Sequence, residues 1–359
     1  MGFIFQHIAK LPKNIIIGAA VILTLLVGLL DKVTGAELSV SLFYLIPISI
    51  CAWFVDRWSA ISLSILSAAI FFYADKITNS GYSHPLIIYW NALIELGFFV
   101  TISLTLSTLR SSIDLESNLA IRIQQGLLPK QLPTLKNREV SVIWLPKLFV
   151  SGDYYDFINF SDDKVGICIG DVAGHGVAAA LLMSNLQAIV RQISHRNEST
   201  NKICYQLNNS LLENEMPEKF ITFFYGIIDL NTNTLEYTNA GHPPALIINS
   251  NGEVKKLECG GTMLGVVPNY EYYNDTVKLS DDDTIVFYTD GLIEAKNITG
   301  ELYGEERFIN SCLKYFSSDV NKMSQDIIES VAEFSAGLWE DDVTLLIISS
   351  SAQAIYSNP

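Results

Sequence analysis

The sequence predicts an α+β protein in which a four-helix transmembrane region precedes a domain of two antiparallel sheets flanked by helices. Two observations support this prediction. The N-terminal third of the 359-residue chain is apolar and carries few charges, whereas the remainder is strongly acidic. After Pro133, short apolar runs alternate with turn residues, and helical periods come in pairs. That order is typical of antiparallel sheets covered by helices rather than of a parallel doubly wound sheet.

The charge distribution divides the chain near residue 110. Residues 1–110 contain six Lys or Arg and five Asp or Glu, and the rest of the chain contains 17 and 33. We therefore expect a transmembrane region over residues 1–109, a connecting helix over 110–130, a C-terminal domain over 131–351 and a tail over 352–359.

The acidic C-terminal part argues against nucleic-acid binding, which needs clustered Lys and Arg. The five cysteines are scattered and include no CxxC pair. This spacing indicates reduced core thiols rather than a zinc site or a disulfide framework.

Four apolar segments are candidates to cross a membrane, and a span needs about 20 predominantly apolar residues. The second and third segments are short by this measure. Lys13 before the first segment and Arg110 after the last favour both termini on the cytoplasmic side of the inner (cytoplasmic) membrane. The segments cover residues 14–30, 40–55, 58–73 and 86–109.

Two features of the N-terminal transmembrane region suggest that it receives a signal. Residues 41–75 resemble a small multi-span sensor region found ahead of bacterial signalling output domains. Glu95 lies inside the fourth segment, where a carboxylic acid is costly. Glu95 either senses a ligand or is protonated and hydrogen-bonded to a neighbouring helix. A third alternative is that the span is displaced toward the membrane interface.

The connecting segment carries a weak apolar stripe. Ile113, Ala120 and Leu127 recur at seven-residue spacing. This pattern predicts either a short coiled coil, which would make the protein a homodimer, or an amphipathic helix that lies on the C-terminal domain.

Aspartates stand at the tips of predicted strands throughout the C-terminal domain. Predicted strands cover, among others, residues 140–144, 148–152, 165–169 and 284–288. Charged groups beside core strands are unfavourable unless they are paired or coordinated. Taken singly, each aspartate is typical of a turn or a strand end. Taken together, the aspartates predict a site for two hard cations, Mn²⁺ or Mg²⁺. A pair of such ions activates water and polarises a phosphoryl group. The aspartates are Asp153, Asp171, Asp290, Asp341 and Asp342.

Six motifs carry a family resemblance. They read SGDYYDF, GDVAGHGVAAALLMS, TNAGHPPALII, MLGV, FYTDGLIEAKN and DDVTLLII. Together they resemble the SpoIIE-type branch of the PPM metal-dependent protein phosphatases over residues 121–350. The resemblance implies a PPM-type α-β-β-α sandwich with a dinuclear metal site. It also implies metal ligation and catalysis by Asp153, Asp171, Asp290 and Asp341, with the Val172 carbonyl as a further ligand.

Several residues near these motifs have open roles. Asp341 is favoured over Asp342 as the ligand because the family motif places it three residues before Thr344. Ala173 stands where eukaryotic relatives have a histidine, so His175 is either structural or touches substrate. Asp156 either supports the ligand residues without binding metal itself or is a surface residue of a strand. Gly291 follows Asp290, and His242 is expected to be a hydrogen-bonded turn histidine.

The resemblance implies a membrane-anchored serine/threonine phosphatase whose substrate is a small phosphorylated regulator of the anti-anti-sigma (STAS) type. The alternative is a catalytically silent, membrane-tethered module that relays a signal by binding partners. Loss of ligand residues would favour the second hypothesis, and all four ligand aspartates are present.

Overall fold

The computed structural model describes residues 8, 11–34, 40–78, 83–194, 198–213, 219–317 and 319–350. The predicted tail over 352–359 lies outside these residues. The chain divides into two compact units, Met1–Glu116 and Ser117–Pro359.

The N-terminal unit is helical. Its helices are α1 Lys13–Thr34, α2 Leu45–Phe54, α3 Arg57–Thr78 and the first part of α4 Ile87–Leu127, whose residues from Ser117 onward belong to the C-terminal unit. A 3₁₀ turn, Ser41–Tyr44, precedes α2. In the described part of the chain, α1, α3 and α4 are long and apolar enough to cross a membrane.

The predicted second span is too short, because its apolar helix covers only Ser41–Phe54. The carboxylate of Asp56 marks the start of the next helix. Oδ1 of Asp56 accepts hydrogen bonds from the backbone amides of Trp58 and Ser59. A side chain in this role caps a helix N-terminus, so a new helix starts at Arg57.

The fourth span and the connecting segment form one helix. Helix α4 runs without interruption from Ile87 to Leu127. Few residues in this stretch oppose a helix, and Pro129 follows its end, where proline disfavours continuation.

Two sheets form the C-terminal unit. One has the order β1-β11-β10-β6-β7, and the other has the order β2-β3-β4-β5-β8, with β9 paired to β5. Neighbouring strands are antiparallel except β5 and β8, which are parallel. In the described residues the strands are β1 Arg138–Leu145, β2 Tyr154–Ser161, β3 Lys164–Val172, β4 Ile221–Asp229, β5 Thr234–Ala240, β6 Ala245–Ile248, β7 Val254–Leu257, β8 Gly260–Gly261, β9 Asp275–Lys278, β10 Thr284–Tyr288 and β11 Val343–Ser350.

Helices cover the outer face of each sheet. Helices α5 and α6 pack on the β2–β5 sheet, and α9 packs on β1 and β11 with α8 beside it. The helices of this unit are α5 Val177–Ser194, α6 Thr200–Glu213, α7 Asp290–Ile293, α8 Gly304–Lys314 and α9 Val320–Phe334.

Strand β10 shows how the layers are built. Ile285 and Phe287 belong to the core between the sheets, where Phe287 meets Phe224 edge to face at 5.4 Å. Val286 and Tyr288 belong to the separate core beneath α8 and α9. Successive strand side chains point to opposite faces, so this alternation places the sheet between two apolar layers. The unit is therefore an α-β-β-α sandwich, as the sequence predicts.

One predicted strand is wrong. Residues 148–152 form a loop, and the strand begins after it, at Tyr154. Asp153 therefore precedes a strand rather than ending one. The cause is a side chain distant in sequence: the carboxylate of Asp342 binds the backbone amides of Lys147 and Gly152. Those amides are consequently not available to a strand partner.

Candidate active site

Aspartates from both sheets meet at one end of the sandwich. Asp153 precedes β2, and Asp171 is the penultimate residue of β3 in the same sheet. Asp290 follows β10 as the first residue of α7, and Asp341 lies just before β11 in the other sheet. The predicted set is thus divided between two neighbouring strands of each sheet.

Electrostatic coupling shows that these carboxylates are close together. Burial is the main reason that the pKa of Asp171 is raised, and four more aspartates raise it further: Asp153, Asp290, Asp341 and Asp342. Burial likewise raises the pKa of Asp290 to about 6, with contributions from Glu294 and Asp341. Carboxylates that destabilise one another in this way favour either protons or cations between them.

Asp153 has one satisfied and one unsatisfied oxygen. Thr289 and Thr344 donate their hydroxyls to Oδ2 of Asp153 at 2.9 and 2.6 Å. Oδ1 is fully buried and has no hydrogen-bond partner. The residue is 1 % exposed, and burial raises its pKa. A buried acceptor is unfavourable unless something binds it, so Oδ1 is suited to a cation.

The two neighbouring aspartates before β11 have different surroundings. Both oxygens of Asp342 accept backbone hydrogen bonds at 2.7 Å, from Lys147 to Oδ1 and from Gly152 to Oδ2. Both carboxylate oxygens of Asp342 are therefore used to hold the loop that leads to Asp153. Asp341 is only partly buried, and its Oδ1 accepts from the amide of Asp342. This difference supports the choice of Asp341 over Asp342 as a ligand.

Two glycines allow the segments to approach one another. A β-carbon at Gly291 would overlap the carbonyl oxygen of Asp342. Glycine after Asp290 is therefore required by close backbone packing. A β-carbon at Gly152 would lie 3.1 Å from the Val172 carbonyl oxygen, which shows that this predicted ligand lies beside the Asp153 loop.

Asp156 is not a surface residue. It is fully buried, and its carboxylate accepts hydrogen bonds from Arg191 of α5 and from the Tyr154 hydroxyl. The hydrogen bonds of Asp156 attach α5, the helix that follows the Asp171 loop, to β2. The alternative of a surface position is thus excluded.

The loop between Asp171 and α5 is open to solvent. His175 is exposed on it, between Gly174 and Gly176, both of which have positive φ. Lys219 donates from Nζ to the Ala173 carbonyl oxygen at 2.8 Å, which joins this loop to the segment before β4.

The structure adds three positioning residues that the sequence did not single out. Thr289 and Thr344 hold Asp153, and Thr344 donates its backbone amide to the Thr289 hydroxyl at 2.8 Å. Gln124 of α4 donates to the Ser151 carbonyl oxygen at 2.6 Å and accepts from the Ser151 amide at 2.9 Å. Thr289 directly precedes the predicted ligand Asp290 in YTD, and Thr344 follows the predicted ligand Asp341 by three residues in DDVT. This closeness in sequence is the signal.

The donor set fits hydrated divalent cations. Among the described residues, no three His, Cys, Asp or Glu side chains are arranged to hold one ion by themselves. Mg²⁺ commonly takes one or two carboxylates and keeps several waters. Four aspartates, one of which has a bare buried oxygen, match that preference.

The comparisons with known proteins agree with this architecture. Residues 161–351 match the family described as stage II sporulation protein E (SpoIIE). Protein IcfG of Synechocystis sp. is 30 % identical over 256 residues, which cover 63 % of this chain and 40 % of IcfG. Phosphoserine phosphatase RsbU of Bacillus subtilis is 27 % identical over 246 residues, or 68 % of this chain and 72 % of RsbU. The chain thus matches less than half the length of IcfG.

A solved structure shows the same fold. The SiaA-PP2C domain of Pseudomonas aeruginosa superimposes with a TM-score of 0.60 at 21 % identity, covering 67 % of this chain and 98 % of that domain. The matched family region contains Asp171, Asp290 and Asp341, and it covers more than half of the chain. The chain belongs to the SpoIIE family.

Proposed function

We propose that this chain is a membrane-anchored, metal-dependent phosphatase that removes phosphate from serine or threonine of a small regulatory protein. The observation that carries the proposal is the bare, buried Oδ1 of Asp153 among aspartates from both sheets. The match to RsbU, a named phosphoserine phosphatase, supports the reaction type.

The charge of the site explains why cations are needed. A phosphoserine carries a charge of about −1.5 to −2 at neutral pH, so it is repelled by a cluster of carboxylates. Asp153, Asp171, Asp290 and Asp341 would hold two Mn²⁺ or Mg²⁺ ions, with the Val172 carbonyl as a further ligand. Bound ions supply an activated water and polarise the phosphoryl oxygens.

The residues of the chain have separate roles in this proposal. Thr289 and Thr344 orient Asp153, and Asp342 fixes the loop before it. The backbone amides at the start of α5 face the Asp171 loop, where a helix N-terminus favours an anion. The exposed loop around His175 leaves room for a protein substrate, for which we propose a STAS-type regulator.

The N-terminal unit is the proposed anchor. Three helices are long and apolar enough to cross a membrane. Arg110, after the apolar part of α4, favours the cytoplasmic side for the C-terminal unit. Exposed Leu119 and Ile123 on α4 support a homodimer through this helix. Replacing both with Glu should then yield monomers by light scattering.

The function is tested with the full-length chain in detergent. With Mn²⁺ it should release phosphate from a chromogenic ester and from a phosphoserine protein, and EDTA should stop the reaction. Asp290→Asn should lose at least about 100-fold in rate, whereas Asp162→Asn, on an exposed turn, should not change it. A wild-type chain that binds a phosphorylated regulator without turnover would favour the silent binding module instead.

A further inference from the structure

His242 is a buried histidine that touches both sheets at the end where the aspartates meet. Its side chain is 4 % exposed. Nδ1 lies 2.8 Å from the hydroxyl oxygen of Thr222 in β4, and the ring also interacts with the backbone of Tyr288 in β10. β4 and β10 belong to different sheets.

The backbone fixes the position of this ring. The amide of His242 donates to Oδ1 of Asn239 at 2.8 Å, and Nδ2 of Asn239 donates back to the His242 carbonyl oxygen at 2.9 Å. Between them, Gly241 has φ +71°, and a β-carbon there would press on Met263. The turn therefore holds the imidazole in one place.

Both contacts of the ring are adjacent to proposed ligands. Thr222 is the ladder partner of Asp171 across β3 and β4. Tyr288 is the last residue of β10, two positions before Asp290. The ring thus connects the strand beside Asp171 to the strand that leads into Asp290.

The imidazole is neutral, and its Nε2 atom lacks a hydrogen bond of standard geometry. Burial lowers the pKa of His242 to about 3. Nε2 is buried and makes no hydrogen bond of standard geometry. A buried polar atom without a good hydrogen bond lowers the stability of the fold. Packing alone does not explain why a histidine stands here, because an apolar side chain would avoid that cost.

We propose that His242 is a positioning residue for the metal site: by bridging Thr222 and the end of β10, it sets the separation between Asp171 and Asp290. This assignment rests on the proposed function insofar as those aspartates bind metal. His242 itself contacts neither ion nor substrate. Its effect is on how well the two sheets present their carboxylates to a shared pair of cations.

Two amide substitutions separate the roles of the two ring nitrogens. An asparagine amide can occupy the place of Nδ1 and keep the contact with Thr222, whereas a glutamine amide reaches the place of Nε2. His242→Asn therefore loses the contact with Tyr288 and His242→Gln loses the contact with Thr222. Each variant breaks the bridge, so each should lose Mn²⁺ affinity on the order of tenfold, the usual effect of removing a residue that orients a ligand.

The partner residue supplies a second test. Thr222→Val removes the hydroxyl and should weaken Mn²⁺ binding to a similar extent, whereas Thr222→Ser should not. The double variant His242→Gln/Thr222→Val should bind Mn²⁺ no more weakly than the worse single variant, because both remove the same contact.

The experiment measures free Mn²⁺ by electron paramagnetic resonance during titration of the full-length chain in detergent, together with melting temperatures without metal. Wild-type affinity in both His242→Gln and Thr222→Val would overturn the assignment, and so would wild-type affinity in His242→Asn. If the wild-type chain binds Mn²⁺ and the variants match it, only this assignment fails. If the wild-type chain binds no Mn²⁺, the proposed function fails with it.

Discussion

The hydroxyl of Thr344 donates a 2.6 Å hydrogen bond to Oδ2 of Asp153, a residue 191 positions earlier in the chain. Thr289 donates to the same oxygen. These bonds join the start of β2 in one sheet to β10 and β11 in the other. They leave Oδ1 of Asp153 as the oxygen for a cation.

Removing the Thr344 hydroxyl tests this relationship. Thr344→Val keeps the shape but leaves Oδ2 with one donor, so the free energy of unfolding should fall by about 1–3 kcal/mol. Mn²⁺ affinity should fall as well, because Asp153 is less well oriented. Thr344→Ser is the matched control and should retain both properties. Chemical denaturation and Mn²⁺ titration measure them, and an unchanged Thr344→Val protein would contradict the role.

Asp341 and Asp342 should respond in opposite ways to the same substitution. Asp341→Asn should abolish Mn²⁺-dependent turnover and leave stability nearly unchanged. Asp342→Asn should lower the free energy of unfolding by about 2–4 kcal/mol, because an amide N–H₂ would face a backbone donor at either Lys147 or Gly152. Activity assays and denaturation curves on both variants check this. A stable Asp342→Asn with no activity would exchange the two assignments.

The Arg191–Asp156 ion pair should stabilise the attachment of α5. Arg191 is half exposed, and Asp156 is fully buried. Arg191→Met leaves a buried carboxylate without its cation and should cost about 2–3 kcal/mol in unfolding free energy. Adding Asp156→Asn should restore part of that loss, since the remaining group is neutral. If the double variant is less stable than Arg191→Met, the pair does not act as described.

Metal-free protein should become less stable as pH rises. Burial raises the pKa of Asp290 to about 6 and also raises those of Asp153 and Asp171. Unfolded aspartate has a pKa of about 4, so above that value the folded state binds more protons than the unfolded state. The stabilisation present below about pH 4 is therefore lost as pH rises through about 6 and beyond.

Melting temperatures in EDTA at pH 5 and pH 7.5 measure this loss. Asp171→Asn cannot ionise, so at pH 7.5 it should melt higher than wild type by about 2–4 °C for each kcal/mol of relieved repulsion. The gain should shrink at pH 5. Asp162→Asn is the exposed control, and parallel curves for wild type and Asp171→Asn would contradict the coupling.

Local patterns predict much of this fold. The apolar period of residues 177–194 predicts α5 with its observed ends, Val177–Ser194. The apolar run before Asp290 predicts β10 in the same way. Strand and helix periods are local properties, and these elements bury the faces that the periods present.

Contacts between distant residues account for what the sequence did not reveal. The loop at 146–152 contains apolar residues at strand-like spacing, but its amides bind Asp342, about 190 residues away. The threonines around Asp153 and the bridge from His242 to Thr222 likewise depend on the packing of two sheets. In the N-terminal unit, a side-chain cap at Asp56 starts α3 directly after the short second apolar helix.

The central claim is that aspartates of both sheets hold a pair of divalent cations. Anomalous diffraction from a Mn²⁺-soaked crystal of the full-length protein tests it most directly. The account predicts two Mn²⁺ peaks enclosed by Asp153, Asp171, Asp290 and Asp341, with Oδ1 of Asp153 turned toward them. A protein that is saturated with Mn²⁺ elsewhere and has no peak between the sheets would contradict it.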